Sequence, residues 1–145
     1  MYFEQIIIAD INKKTARLQR FNQGLNVITS EENHVGKSSL LKSLYYTLGA
    51  EVIYDNVWDK NTKVYIVDFI LNDKKYRIAR YIKKFAVFEE NELILITDSV
   101  SKDLAKTLEE IFSFGIYLSR EGQLLGVEAH VLQTACHGVL VFQQG

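Results

Sequence analysis

The feature of this sequence that most constrains its fold is a short junction at which a glycine, a lysine and a serine follow a loop and begin a helix. The β-branched residues of segment 25–29 predict a short strand, and residues 30–36 make the loop after it. From Lys37 onward, leucines recur at three- and four-residue spacing, which predicts a helix over residues 37–48 with one apolar face. The glycine and the lysine therefore stand where the loop ends and the first helical turn begins.

These residue types at this junction are those of a phosphate-binding loop, or P-loop, with the pattern G-x-x-x-x-G-K-[ST]. Gly36 lets the backbone approach a phosphate without a clash from a β-carbon, and Lys37 supplies a positive charge for the β- and γ-phosphates. The Ser38 hydroxyl is placed to ligate Mg²⁺. We therefore predict that the chain binds ATP with Mg²⁺. The predicted nucleotide-binding residues are Asn33, His34, Val35, Gly36, Lys37, Ser38 and Ser39.

The loop departs from the pattern at its first position, where Glu31 stands in place of glycine. A carboxylate near the phosphates repels them unless it points to solvent. The competing interpretation treats Gly36 as an ordinary loop glycine and Lys37 as a solvated side chain at the start of a helix. The order of strand, loop and helix favours the phosphate site over this interpretation.

Composition and charge set broad limits on the class of protein. The chain has 145 residues, of which 48% are hydrophobic and 24% charged, as is typical of one globular domain. A formal net charge of −1 gives no overall field that attracts nucleic acid. The single cysteine, Cys136, cannot form an intrachain disulfide, and with His130 and His137 it does not match a zinc-ligand spacing. No secretory leader or membrane-length apolar run is present, so we expect a cytoplasmic protein without membrane contact.

Most of the remaining sequence is predicted to be β-structure. The opening segment 2–11 reads as a strand, and two further hairpins are predicted within residues 63–82 and 85–97. Asp68 lies in one of these strands and is predicted to face solvent. A second helix is predicted after a cap at Ser99 or Ser101, because Leu104, Leu108, Ile111 and Phe112 fit one helical face.

Basic and aromatic residues interleave along one predicted hairpin. One interpretation is a DNA-binding patch, in which cations contact the phosphate backbone and aromatic rings stack on bases. The other, which we favour, is an exposed hairpin whose basic face is solvated. The basic residues concerned are Lys74, Lys75, Arg77, Arg80, Lys83 and Lys84.

With these residues in view, the chain resembles the N-terminal half of an ATP-binding head from the coiled-coil DNA-repair and chromosome-maintenance ATPases. These are the structural-maintenance-of-chromosomes (SMC) and SbcC-like proteins. The resembling segments are residues 21–28, 36–41 and 44–49, and Asn33 matches the P-loop asparagine of that family. Residues 76–80 also match a short sequence motif in the family's β-subdomain.

The resemblance implies an α/β fold of mixed α+β character, namely a P-loop NTPase half-domain of the ABC-ATPase type with a β-rich antiparallel subdomain. The lobe would comprise residues 1–118, with the subdomain at about 60–97 and a poorly assigned tail or Q-loop region at 119–145. Gln143 or Gln144 stands at the family's spacing for the Q-loop glutamine, which contacts Mg²⁺. The implied activity is ATP hydrolysis on DNA, in repair, chromosome organisation or defence.

The family's signature motif and its Walker B acidic pair are absent from this sequence. We therefore expect ATP binding with negligible hydrolysis unless a C-terminal lobe or a partner chain completes the head. A fragment, a truncated or frame-shifted product and a small partner subunit are alternatives that the sequence leaves open.

Two other functions also stay open: a non-catalytic nucleotide-binding remnant, and a different P-loop enzyme such as a nucleotide kinase or GTPase. Against the last, the guanine motif Asn-Lys-x-Asp is absent. The β-rich middle also does not suit the alternating order of strands and helices that such enzymes require.

Overall fold

A computed structural model describes residues 1–29, 36–113, 117–120, 123–126 and 140–141, the last three ranges by their backbone. In chain order, the strands are β1 (Tyr2–Asp10), β2 (Thr15–Arg20), β3 (Asn26–Val27), β4 (Lys63–Leu71), β5 (Lys74–Tyr81), β6 (Lys84–Glu89), β7 (Glu92–Thr97), β8 (Tyr117–Arg120), β9 (Gln123–Gly126) and β10 (Leu140–Val141). The α-helices are α1 (Lys37–Thr47) and α2 (Ala105–Phe112). A 3₁₀ turn at Lys60–Thr62 precedes β4, and a π-helical turn at Val100–Leu104 leads into α2.

Six of the strands form one antiparallel sheet in the order β2-β1-β4-β5-β6-β7. Three connections in this sheet are turns of two residues, at 72–73, 82–83 and 90–91. Both Asn72 and Asp73 have positive φ, and so do Glu90 and Asn91. Positive φ at both turn residues matches the right-handed twist of the flanking strands and closes a tight hairpin. These turns therefore fix the antiparallel pairing of β4 to β7.

The core lies on one face of this sheet, where the two α-helices pack. Because side chains alternate between the two faces of a strand, β4 directs Tyr65, Val67 and Phe69 to the helices, and all three are fully buried. Helix α2 packs there through Phe112, whose ring stacks on Phe69 with 5.7 Å between centroids. Helix α1 contributes Leu40, Leu44, Tyr46 and the adjoining Leu48 to the same core.

Two smaller strand pairs lie outside the large sheet. Strand β3 pairs in parallel with β10, with Asn26 opposite Leu140 and Val27 opposite Val141. Strands β8 and β9 form an antiparallel pair. The strand that precedes the loop to α1 is thus two residues long, and it joins a chain segment distant in sequence.

The predicted fold class is wrong. The prediction was an α/β half-domain of the ABC-ATPase type, whereas the described chain is mainly a six-stranded antiparallel sheet with two short helices. A parallel βαβ unit needs a crossover of a dozen or more residues between its strands. Two-residue turns leave no room for such crossovers, so β4 to β7 can pair only as an antiparallel meander.

Neither helix in the described part of the chain has the length and apolar character that a membrane crossing requires.

Candidate nucleotide-phosphate site at the start of helix α1

Helix α1 begins directly after a glycine with a left-handed backbone. Gly36 has φ 69° and ψ 5°, a conformation that residues with a β-carbon adopt at a cost. Its carbonyl oxygen accepts the first hydrogen bond of the helix, from the amide nitrogen of Leu40 at 2.9 Å. The chain therefore turns sharply at Gly36, and Lys37 is the first helical residue.

The first turn of α1 carries no counter-charge within the described residues. Gly36 has no side chain to cap the helix, and no acidic residue lies in the first turn. Since the first amide N–H groups of a helix have no partner inside it, this end presents unpaired donors and a partial positive charge. Lys37 adds a full positive charge and forms no ion pair with a described residue. This end of α1 is therefore suited to an anion.

The side chains of the first turn differ in exposure. Lys37 is half-buried, Ser38 is exposed and Ser39 is buried against the core. The Ser38 hydroxyl is thus accessible to a bound ion, as its predicted role requires. Buried Ser39 instead begins a column of hydrogen bonds, since Ser43 Oγ donates to its carbonyl oxygen at 2.6 Å.

This column holds α1 in place against the segment that follows it. Thr47 Oγ1 donates to the carbonyl oxygen of Ser43 at 2.7 Å, and the Tyr54 hydroxyl donates to Ser43 Oγ at 3.1 Å. Burial raises the pKa of Tyr54, so its hydroxyl stays protonated and able to donate. The buried polar face of α1 is therefore satisfied by the protein itself.

An arginine closes the other end of α1. Arg80 of β5 is 3% exposed, and its Nη1 donates to the carbonyl oxygen of Tyr46 at 2.6 Å and to that of Ala50 at 3.3 Å. Its Nη2 contacts Glu51 Oε1 at 3.1 Å. The guanidinium carbon lies 3.5 Å from the centre of the Tyr46 ring, which adds a cation–π contact.

Arg80 was one of the six basic residues considered for DNA contact, and three others are also engaged with acids. Lys74 pairs with Glu89, Lys75 Nζ lies 2.7 Å from Glu4 Oε2, and Arg77 pairs with Asp68. These pairs neutralise much of the positive charge of the hairpin. The exposed Lys83 and Lys84 form no ion pair with a described residue, so DNA contact at this hairpin, the less favoured of the two interpretations, would depend on them.

The prediction that Asp68 faces solvent is wrong. Asp68 is fully buried on the sheet face opposite α1, where Arg77 donates two hydrogen bonds to its carboxylate at 2.6 and 2.8 Å. Gln5 Nε2 donates a third at 2.8 Å. Burial opposes the charged form, but the hydrogen bonds outweigh it, so the pKa of Asp68 lies below its usual value. The partner strands supply this environment, which the local sequence does not reveal.

The structure therefore brings Gly36, Lys37, Ser38 and Ser39 together on one helical turn. The other predicted site residues lie outside the described residues, namely Asn33, His34, Val35, Gln143 and Gln144, and so do Glu31, His130, Cys136 and His137. Where the structure describes side chains, no group of three or more His, Cys, Asp or Glu residues is placed to hold a metal ion.

Sequence reasoning missed Arg17 at this site. A β-carbon added to Gly36 would lie 3.6 Å from Nη1 of Arg17, so the guanidinium rests beside the turn that begins α1. The pairing register of β2 in the large sheet places Arg17 close to Gly36. The residues around Arg17 carry no local signal of this contact.

The chain is similar to two known proteins. It is 35% identical over 114 residues to "Lamassu protein LmuB" of Bacillus cereus (strain VD014), an alignment that covers 79% of this chain and 20% of the relative. It is 41% identical over 81 residues to a protein of the same name from Bacillus sp. (strain NIO-1130), covering 55% of this chain and 14% of the relative. The chain thus spans a fifth or less of these curated relatives. No protein-family model matches it.

This similarity agrees, in coarse terms, with the resemblance to SMC-like proteins that the sequence indicates.

Proposed function

We propose that this chain is the nucleotide-binding segment of an SMC-like protein and that it binds the phosphates of ATP, with Mg²⁺, at the start of α1. The observation that carries the proposal is the first turn of α1. It combines a left-handed Gly36, an uncapped helix end, the cation Lys37 and the exposed hydroxyl of Ser38. Together these groups offer backbone donors, a positive charge and an oxygen ligand, which are what a Mg²⁺-bound polyphosphate requires.

The roles of the individual groups follow from their chemistry. The amide N–H groups of the first turn donate to phosphate oxygens, and Lys37 balances the charge of the β- and γ-phosphates. Ser38 Oγ supplies one ligand to Mg²⁺, with Gln143 or Gln144 as candidates for another. Both glutamines follow β10 in the sequence, and β10 pairs in parallel with β3, the strand before the loop. That pairing supports a glutamine ligand because parallel strands end at the same edge of a sheet.

We propose defence as the biological setting. Of the three settings that the family resemblance implies, defence is favoured by the similarity to two Lamassu proteins. Those relatives are about five times as long as the matched segment or longer. Hydrolysis is proposed to need a C-terminal lobe or a partner chain, because this sequence has neither the signature motif nor the acidic pair of the family.

The experiment is a calorimetric titration of the 145-residue chain with ATP and Mg²⁺, beside the variants Lys37→Ala and Lys42→Ala. Lys42 lies on the same helix and forms only a long, exposed ion pair with Asp55 at 3.9 Å, so it is a matched control. We expect Lys37→Ala to weaken binding at least about a hundredfold, or about 2.7 kcal/mol, and Lys42→Ala to leave it unchanged.

Three results would contradict the proposal. Equal affinity of the wild type and Lys37→Ala would remove Lys37 from the site. Absence of ATP binding by the wild type would favour a remnant that keeps the shape of the loop alone. Tighter binding of GTP than of ATP would favour a different class of P-loop enzyme.

A further inference from the structure

We propose that Arg17 is a second phosphate-binding cation of this site and acts together with Lys37 on a polyphosphate chain. This inference rests on the proposed function and extends it to a residue outside the phosphate-binding motif. The observation that carries it is the 3.6 Å separation between Arg17 Nη1 and the point where a β-carbon on Gly36 would lie.

The sheet holds Arg17 on the side where α1 packs. In the register of β1 and β2, Arg17 is opposite Ile8, whose side chain is buried in the core. The alternation of side chains along β2 therefore directs Arg17 to the helix face and Arg20 to the opposite face. Arg17 reaches Gly36 from a strand that is hydrogen-bonded into the large sheet, so its backbone is positioned before any ligand arrives.

Arg17 and Lys37 bring two positive charges to the start of α1. Arg17 forms neither an ion pair nor a hydrogen bond with a described residue, and Lys37 has no ion pair there. The start of α1 adds a partial positive charge, and its first turn contains no acid. Two cations beside a positive helix end repel one another, and an anion between them removes this repulsion.

The shape of the guanidinium indicates the class of anion. Arginine presents five N–H donors in a planar fork that matches two oxygens of one phosphate, whereas lysine acts as a point charge. With Lys37 in the first turn and Arg17 beside Gly36, the two cations suit adjacent phosphates of one chain. The ligand class is therefore a triphosphate or diphosphate rather than a single phosphate.

The test measures the binding of ATP, AMP and inorganic triphosphate to the wild type, Arg17→Ala, Arg17→Lys and Arg20→Ala. Inorganic triphosphate separates phosphate recognition from contacts to the base and sugar. Arg20 is the matched control, because it is an exposed arginine of the same strand on the opposite face. Urea unfolding of each variant shows whether the fold is retained, and we expect equal midpoints because Arg17 is exposed.

We expect Arg17→Ala to weaken ATP and inorganic triphosphate about tenfold or more, with a shallower salt dependence, and to change AMP binding little. We expect Arg17→Lys to bind ATP and inorganic triphosphate more tightly than Arg17→Ala but more weakly than the wild type. Arg20→Ala should bind both ligands with the affinity of the wild type. Equal affinities of Arg17→Ala and Arg20→Ala would overturn the inference. Tighter ATP binding by Arg17→Ala would also overturn it, because the partner of Arg17 would then be a loop carboxylate such as Glu31 or Glu32.

The outcome for Lys37→Ala separates this inference from the proposed function. If Lys37→Ala loses ATP and Arg17→Ala does not, the site stands and Arg17 is outside it. If the wild type does not bind ATP or inorganic triphosphate, both the proposed function and the role of Arg17 are overturned.

Discussion

The two ends of helix α1 differ in how their backbone groups are satisfied. At the last turn, the buried guanidinium of Arg80 donates to the carbonyl oxygens of Tyr46 and Ala50. At the first turn, Gly36 offers no side-chain cap, and the turn itself contains no acidic residue. Every α-helix has unpaired N–H groups at its start and unpaired carbonyls at its end. In α1 the protein closes the second set, and the described residues leave the first set open.

The difference indicates which end is structural and which is available to a ligand. Arg80 is buried, donates hydrogen bonds to carbonyl oxygens and makes cation–π contacts with Tyr46 and Phe85, so its role is structural. The exposed Ser38 and the half-buried Lys37 have few such contacts, and no described side chain caps the N–H groups beside them. Substitutions at the two ends should therefore separate stability from binding.

The largest expected effect is at the closed end. Arg80→Met keeps the apolar stem of the side chain but removes every donor, so the carbonyls of Tyr46, Ala50 and Ile82 lose a buried partner. We expect the free energy of unfolding to fall by about 3 kcal/mol. Urea denaturation measures this, and Arg20→Met is the control because Arg20 is exposed.

Unfolding of Arg80→Met at the same urea concentration as Arg20→Met would contradict this difference between the two ends of α1. Arg80 would then not be the group that stabilises the last turn. If Arg80→Met keeps its stability but loses ATP, the closed end would be a part of the site.

A smaller effect is expected at the open end. Ser38→Ala removes the hydroxyl proposed to ligate Mg²⁺, so ATP should bind about tenfold more weakly with Mg²⁺, or about 1.4 kcal/mol, and equally without it. Ser38→Thr keeps the hydroxyl and should bind like the wild type. Because Ser38 is exposed, neither variant should change the unfolding midpoint by more than about 0.5 kcal/mol.

An equal loss of affinity with and without Mg²⁺ would contradict the metal role of Ser38. Its hydroxyl would then contribute by a direct hydrogen bond to a phosphate.

The individual elements of the fold could be predicted from the sequence because their signals are local. The predicted helix over residues 37–48 matches α1, and the predicted strand over 63–71 matches β4. The turns at 72–73 and 90–91 contain asparagine, which tolerates positive φ and marks a turn in the sequence, whereas Ile82 adopts positive φ in the turn at 82–83 without such a signal. The spacing of apolar residues and the residue types found in turns are properties of neighbouring residues, so a single sequence is enough to predict helices, strands and turns from them.

The arrangement of these elements could not be predicted in the same way. The phosphate-binding pattern at Gly36 led to a fold class that the large antiparallel sheet contradicts, because a motif of a few residues does not specify how distant strands pair. The burial of Asp68 and Arg80 and the contact of Arg17 with Gly36 arise from strand register. Register is set by packing across the whole sheet, and the residues beside each of these side chains contain no sign of it.

Hydrogen exchange of the α1 amides, with and without ATP and Mg²⁺, would show whether the first turn of this helix binds the nucleotide. Exchange reports, residue by residue, whether an N–H group is hydrogen-bonded and closed to water. We predict fast exchange of the Lys37, Ser38 and Ser39 amides in the free protein and slow exchange when ATP is bound. The amides of Tyr46 and Thr47 should exchange slowly in both states. Protection of the first turn without nucleotide, or no change there on adding ATP, would contradict the account.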